Sequence, residues 1–433
     1  MINKNIFTKT LSAAAVVAGL SAIQVAEAAN WLMLQGTERP GAAGRAKVWG
    51  FIQAQYQSDS SEPFAHPTQG DLYVPPKLIG PNLTSQEQFN VNRARIGVRG
   101  IGMPLDSTVN YFLLAELGNN GITAGNGGAA MISDASITIN TDAVRIRAGL
   151  FKTPGVEEGL QAIHVFDYIN FTTVTNQLML ERFPQTGEAN TTAPDLTEGN
   201  PNSINNIARP VGAFRDTGVQ FFQSYKMGKW DHSYAVMFGN GNGLNFGNTA
   251  DGNMDTYLYW ASELAMGGKG PRAQGLKIFA WNQSGKRLNP NGASIDDVQD
   301  RTRTGFGVKY LKMPFRVTFE SMTGEGMIFK GPHQPVGNYN DLTASGSYID
   351  FGYYIPNSKW EIDLRVDTYT RDENATAEAT FDTTTVGLQY HINKKSRVNM
   401  TYDMRDFSSE VAAANNQLKG VGDRLAVQLT HIF

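Results

Sequence analysis

Short segments in which apolar and polar residues alternate limit the possible folds of this chain more than any other feature. In residues 425–433, apolar side chains occupy every second position, and the chain ends on Phe433. A period of two places the apolar side chains on one face of a β-strand. The pattern predicts an all-β protein with strands at 46–57, 88–100, 106–118, 131–140, 143–151, 213–226, 229–239, 255–266, 273–284, 301–312, 314–323, 345–355, 359–369, 382–392, 395–405 and 423–433.

The connections between these predicted strands alternate between short and long. Short connections lie at 226–229, 312–314, 356–358 and 393–395. Long connections lie at 58–87, 119–130, 152–212, 240–254, 285–300, 324–344, 370–381 and 406–422. A barrel in a bacterial outer membrane has tight turns at one rim and long loops at the other. We therefore predict a transmembrane antiparallel β-barrel of about sixteen strands, with both mature termini on the periplasmic side.

The amino terminus has the pattern of a secretory signal peptide. Lys4 and Lys9 form a basic region, residues 11–23 are apolar or small, and residues 26–28 fit the small-x-small cleavage rule. We predict a signal peptide at 1–28, a mature barrel at 29–433 in the outer membrane of a Gram-negative bacterium, and a periplasmic lead-in at 29–45.

Composition excludes several functional classes. The chain has no cysteine, which excludes disulfides, iron–sulfur clusters and cysteine–zinc sites. It has 37 Lys and Arg against 40 Asp and Glu, so it lacks the basic excess of a nucleic-acid-binding protein. The six histidines are scattered, and neither an HExxH nor a GxSxG motif occurs. We expect no enzymatic activity, no cofactor, no metal and no nucleic-acid partner.

Arginines alternate with apolar residues on two predicted strands. A charged side chain on the lipid face costs about 2–4 kcal/mol at the membrane midplane, so charges near mid-strand should face the lumen. The residues predicted to line the pore are Arg93, Arg95, Arg99, Arg145 and Arg147, joined by Glu361, Asp363 and Arg365 on the strand at 359–369. The residues predicted to face lipid are Ala94, Ile96, Val98, Val144, Ile146, Ala148 and Leu150.

Two interpretations of these arginines stay open. The arginines form a wall that attracts anions, or they pair with carboxylates such as Glu361, Asp363 or Asp216 and only close the wall.

The third long connection, 152–212, is too long for an ordinary loop tip and is half apolar near 155–185. We predict that it folds into the barrel as a constriction loop and presents Glu157, Glu158 and Asp167 to the pore. It carries seven acidic and three basic residues, which opposes the arginines of the strands. With both signs present, we expect weak ion selectivity that leans to anions.

Four segments resemble the phosphate-selective porin O/P family of outer-membrane channels. They are residues 92–100 (NRARIGVRG), residues 145–154 (RIRAGLFKTP), the pair Glu181-Arg182, and residues 214–220 (FRDTGVQ). The resemblance covers most of the mature chain. It implies a sixteen-stranded barrel, often a homotrimer, whose third loop folds into the lumen and which transports phosphate.

Together these features predict a porin, a passive diffusion channel for small hydrophilic solutes and ions. Its partners would be outer-membrane lipid and small hydrophilic or anionic solutes. The alternative is an adhesin-like barrel that acts in surface interactions through its external loops. The third loop distinguishes the two, because a channel would fold it inward and an adhesin would concentrate length at the external tips.

Overall fold

A computed structural model describes most of the predicted strands and part of the connections between them. The described residues are 31–34, 46–62, 64–66, 70–72, 86–101, 108–120, 130–180, 214–241, 243–244, 253–268, 272–288, 298–326, 328, 342–373, 378–410 and 412–433. The predicted signal peptide at 1–28 and the part of the third connection beyond residue 180 lie outside them, as does the pair Glu181-Arg182.

Within the described residues, sixteen strands form one closed antiparallel barrel, and two short strands form a separate hairpin. The hairpin is β2 (Phe64–His66) and β3 (Gly70–Leu72). The barrel strands are β1 (Lys47–Asp59), β4 (Glu87–Ile101), β5 (Val109–Glu116), β6 (Met131–Asn140), β7 (Arg145–Lys152), β8 (Arg215–Met227), β9 (Trp230–Gly239), β10 (Asp255–Gly267), β11 (Gln274–Leu288), β12 (Val298–Lys312), β13 (Phe315–Glu325), β14 (Thr343–Tyr354), β15 (Trp360–Arg371), β16 (Ala379–Asn393), β17 (Ser396–Ser409) and β18 (Arg424–Ile432). Each overlaps one predicted strand, so the predicted fold class is confirmed.

The barrel closes between its first and last strands. β1 pairs with β18 on one side and with β4 on the other, with Phe51 opposite Ile432 and Lys47 opposite Arg99. The Phe433 backbone N–H donates to the Gly50 carbonyl at 3.0 Å. A Cβ atom on Gly50 would lie 2.4 Å from the Phe433 ring, so only glycine leaves room for the terminal aromatic at this seam.

The two faces of the barrel wall have opposite polarity. On β15, Ile362 and Leu364 are 48% and 44% exposed, whereas Glu361 and Asp363 are 0% and 2% exposed. A soluble protein buries its apolar face, so this wall is built for an apolar surrounding and a polar interior. The alternation predicted from the sequence is confirmed on this strand.

The end of β7 departs from the predicted alternation. Ala148 is exposed as expected, but Leu150 is 2% exposed and belongs to the buried apolar cluster that includes Leu160. Gly149, between them, has a φ of 122°, which interrupts the regular pleat. The prediction that Leu150 faces lipid is therefore wrong.

The α-helices of the described residues are short. They are α1 (Trp31–Leu34), α2 (Glu157–Leu160) and α3 (Ala412–Lys419). Residues 31 and 32 of α1 are buried in the main apolar cluster of the barrel. In the part of the chain that the structure describes, no helix has the length and apolar character needed to cross a membrane.

Candidate functional site

The third-loop segment, residues 153–180, follows β7 and packs against the polar face of the barrel wall. All of its residues are buried except Ala162, His164 and Val165, which are half-buried. The Gln53 side chain of β1 donates to the Ile163 carbonyl at 3.4 Å, and Lys277 of β11 bonds to Glu157 at 2.6 Å. In the ring of sixteen strands, β1 and β11 stand eight positions apart, on opposite sides. The segment therefore contacts both sides of the barrel.

Local sequence shapes this segment. The Thr172 hydroxyl accepts from the Thr175 backbone N–H at 3.3 Å, at the first residue of a helical turn at Thr175–Met179. The Asn176 side chain donates to the Phe171 carbonyl at 3.3 Å. A Cβ atom on Gly159 would lie 2.4 Å from the Phe214 ring, so glycine allows the segment to approach the start of β8.

Glu157 joins the segment to β11 and β12. Its carboxylate lies 2.6 Å from the Lys277 ammonium and 3.2 Å from that of Lys309. Burial alone would raise the pKa of Glu157, but the two cations outweigh burial and hold that pKa at about 2. The carboxylate is therefore ionised and neutralised by the wall at neutral pH.

Glu320 of β13 holds the first turn of α2. Its carboxylate accepts from the Glu157 backbone N–H at 3.1 Å, from Trp281 Nε1 at 2.8 Å and from the Tyr348 hydroxyl at 2.8 Å. Three donors on one fully buried carboxyl group tie the start of α2 to β11, β13 and β14.

Glu158 connects the segment to β15. It accepts from the Thr172 hydroxyl at 2.6 Å and lies 3.3 Å from the Arg365 guanidinium, which stacks 4.2 Å above the Tyr168 ring. Burial raises the pKa of Glu158, and Arg365 opposes that rise. The predicted pore residues Glu158 and Arg365 are therefore brought together as an ion pair.

Asp167 lies in the densest charge cluster, centred on Arg316 of β13. Asp167 contacts Arg272 at 2.6 Å and Arg316 at 3.3 Å. Arg316 also reaches Asp363 at 2.6 Å and Glu361 at 3.5 Å, and it bonds to a further carboxylate on β14, that of Asp350. Burial would raise the pKa of Asp167, but Arg316 and Arg272 hold it well below the usual range.

This cluster corrects one of the two sequence interpretations. Glu361 and Asp363 do pair with arginines, but their partners are Arg316 and Arg272 and not the arginines of β4 and β7. Asp216, the third carboxylate suggested there, accepts instead from the Gly241 N–H and the Tyr257 hydroxyl.

The arginines of β4 and β7 lie on the other side of the segment. Arg93 donates to the Gln53 side chain at 3.0 Å, and Arg95 pairs with Glu116 at 2.6 Å. Arg147 donates to the Thr138 hydroxyl at 3.2 Å.

Arg99 and Arg145 lie nearer the end of the barrel that carries the short turns. The Arg99 guanidinium stacks 5.6 Å above the Trp49 ring. Arg145 is half-buried at the first position of β7.

A narrow gap separates this arginine wall from the third-loop segment. It includes a pocket of about 20 Å³. Its wall side carries four cations, Arg93, Arg95, Lys152 and Arg215. Of the segment carboxylates, Glu158 borders the gap, and it is the one paired with Arg365.

Sequence reasoning missed several cationic residues that contact the third-loop segment or border the gap. Among them are Lys152, Arg215, Arg272, Lys277, Lys309, Arg316, Arg303 and Arg397. For Lys277 and Lys309 the signal was available, because apolar neighbours such as Ile278 and Val308 are exposed on the other face of the same strands. Among the described residues, no group of three or more His, Asp or Glu side chains could hold a metal ion.

Comparisons with known proteins show the fold. No family model matches the chain, and no curated protein matches it. The outer membrane channel DcaP of Acinetobacter baumannii superposes with a TM-score of 0.54 at 12% identity, covering 92% of this chain and 100% of that one. A loop-deletion form of OmpT, an outer membrane protein of Vibrio cholerae, gives 0.52 at 9% identity, with 90% and 99% covered. OmpF of Salmonella typhi, in complex with daunomycin, gives 0.51 at 12% identity, with 90% and 97% covered.

Proposed function

We propose that this protein is an outer-membrane porin, a passive diffusion channel for small hydrophilic solutes and ions. The observation that carries the proposal is a closed barrel with an apolar outer face and a polar inner face, together with a third-loop segment that contacts β1 and β11 and borders a gap lined by cations. The fold is shared with proteins named as an outer membrane channel and as outer membrane proteins. In this proposal the third-loop segment lies within the lumen and narrows it.

Charge in the gap supports a weak preference for anions. The segment carboxylates Glu157 and Asp167 are neutralised by cations on the opposite wall, so they contribute little field at the gap. Arg93 and Lys152 then carry the excess positive charge there, and charges of one sign along a passage filter ions. Arg215 adds less, because Asp134 lies 3.0 Å from it. Phosphate would be one of the small anions admitted.

The contacts of the third-loop segment support a channel over an adhesin-like role. An adhesin needs long loops at its external tips. In this segment, by contrast, apolar residues such as Val174 and Leu178 are buried. The proposal includes a mature chain that follows the signal peptide at 1–28, surrounding lipid, periplasmic termini and a homotrimer. One solved form of Vibrio cholerae OmpT, with a TM-score of 0.50, is described as a trimer.

A liposome-swelling assay tests this proposal. Liposomes that contain the purified barrel should swell quickly in arabinose and slowly in the larger sugar stachyose, because a narrow water-filled passage discriminates by size. Protein-free liposomes and liposomes with heat-unfolded protein are the controls. Swelling no faster than in these controls would overturn the porin assignment.

A further inference from the structure

A second cavity lies between the third-loop segment and strands β1, β4 and β7, next to the rim that carries the short turns. Its volume is about 430 Å³, within the range of cavities that hold small organic ligands. Ile163 and His164 of the segment form one side, and Trp49 and Phe51 of β1 form another. We call it the basic chamber.

Cations dominate the charge of the basic chamber. The described residues that line it include Arg95, Arg99, Arg147, Lys47 and Lys152. Arg215 and Lys395 also line it, and the single side-chain carboxylate among the described lining residues is Asp134. Asp134 lies 3.0 Å from Arg215, so it offsets one of these cations. The chamber therefore favours a negatively charged occupant.

Aromatic rings form the other component of the same walls. Guanidinium groups stack over rings at three places: Arg95 over Phe51 at 5.7 Å, Arg99 over Trp49 at 5.6 Å and Arg147 over Phe151 at 5.5 Å. A guanidinium over an aromatic ring is weakly hydrated, and its N–H groups can still bond to a carboxylate.

Rings beside guanidinium groups suit an organic anion better than an inorganic one. Phosphate needs only hydrogen-bond donors and positive charge, and it gains nothing from apolar surfaces such as Phe112 and Trp31. A flat ring that bears a carboxylate can stack on an aromatic wall while its charge meets an arginine.

We propose that the basic chamber binds small aromatic carboxylates. Binding in the chamber does not depend on conduction. Retention of such anions during passage through the barrel would follow from binding, and this part rests on the proposed porin function.

Isothermal titration calorimetry of benzoate against the purified full barrel in detergent tests this proposal. Benzoate should bind at least about tenfold more tightly than acetate, which lacks the ring, and than benzyl alcohol, which lacks the charge. Equal affinity for benzoate and acetate, or tighter binding of inorganic phosphate, would show an anion site with no role for the rings and overturn the proposal.

Two variants test where benzoate binds. Arg99→Gln should weaken benzoate binding about tenfold, because it removes a stacked cation from the chamber wall. Arg371→Gln is the matched control, since Arg371 also stacks over a phenyl ring, that of Phe381, at 5.1 Å but does not line the chamber. Both proteins should first show the wild-type mobility of folded barrel on an unheated gel.

Two results separate this proposal from the proposed function. Loss of affinity in Arg371→Gln alone, or unchanged affinity in Arg99→Gln, would contradict a site in the basic chamber. Because calorimetry in detergent needs no transport, benzoate can bind even if liposomes fail to swell, and liposomes can swell even if benzoate does not bind.

Discussion

Replacing residues 157–179 with a short glycine–serine linker is expected to raise single-channel conductance several-fold. This segment contacts β1 and β11 on opposite sides of the barrel, and its described residues are almost all buried. In the proposed passage, removing it would free the part of the lumen that the segment occupies. The strands keep their own hydrogen-bonded ladders, so the barrel should still form.

Planar-bilayer recordings of the wild-type and shortened proteins in symmetric salt measure this effect. Arg371→Gln, whose guanidinium lies over the Phe381 ring and does not border the gap, is the control and should leave conductance close to that of the wild type. If the shortened protein keeps both the wild-type conductance and the wild-type sugar size limit, the segment does not narrow the passage.

The second large effect is expected from Arg316→Met, which should strongly destabilise the folded barrel. Arg316 is 3% exposed, and its guanidinium contacts four carboxylates, those of Asp167, Asp350, Glu361 and Asp363. Removing one partner of a buried ion pair costs about 3–5 kcal/mol, since the remaining charge stays buried without compensation. Unfolding by urea in lipid vesicles can be measured by the mobility of the folded barrel on a gel. Arg316→Met should unfold at a clearly lower urea concentration than the wild type.

Two further variants test the cause of this loss. Arg316→Lys keeps the charge but not the planar fork, so its unfolding transition should lie between those of the wild type and Arg316→Met. Adding Asp363→Asn to Arg316→Met should recover part of the stability, because it removes one of the uncompensated charges. If Arg316→Met unfolds at the same urea concentration as the wild type, the cluster contributes nothing measurable to the stability of the folded barrel.

The charge arrangement divides the interior of the barrel into two unlike parts. On one side, carboxylates of the third-loop segment pair with cations of β11, β12, β13 and β15, as Glu157 does with Lys277. On the other side, the arginines of β4 and Lys152 face a gap. The pairing holds the segment in place, and in our proposal the gap carries the solutes.

Period-two alternation was sufficient to predict the sixteen barrel strands, but it did not predict the hairpin strands Phe64–His66 and Gly70–Leu72, which lie in the predicted connection 58–87. Ile362 and Glu361 differ in exposure as their alternation requires, because each step along a strand reverses the face. The same rule failed at Leu150, where the positive φ of Gly149 interrupts the pleat. A glycine in a strand marks such a place but does not reveal its conformation.

Ion-pair partners could not be predicted in the same way. Glu157 and Lys277 are separated by 120 positions in the chain, and they meet because of the barrel register and the path of the third-loop segment. Alternation says that both side chains point inward, but not that they lie at the same height. For this reason the sequence suggested Glu361 as a possible partner for the arginines of β4 and β7, whereas it contacts Arg272 and Arg316.

The reversal potential in a KCl gradient tests most directly the claim that ions pass along the cationic wall of the gap. The reversal potential of the wild-type channel should have the sign that corresponds to anion preference. The double variant Arg93→Gln, Lys152→Gln should shift toward cation preference, because it removes two of the four cations that line the gap. Arg371→Gln, whose guanidinium stacks over Phe381 away from the gap, should keep the wild-type value. A double variant with the wild-type reversal potential, or a wild-type channel that reverses on the cation side, would contradict the account.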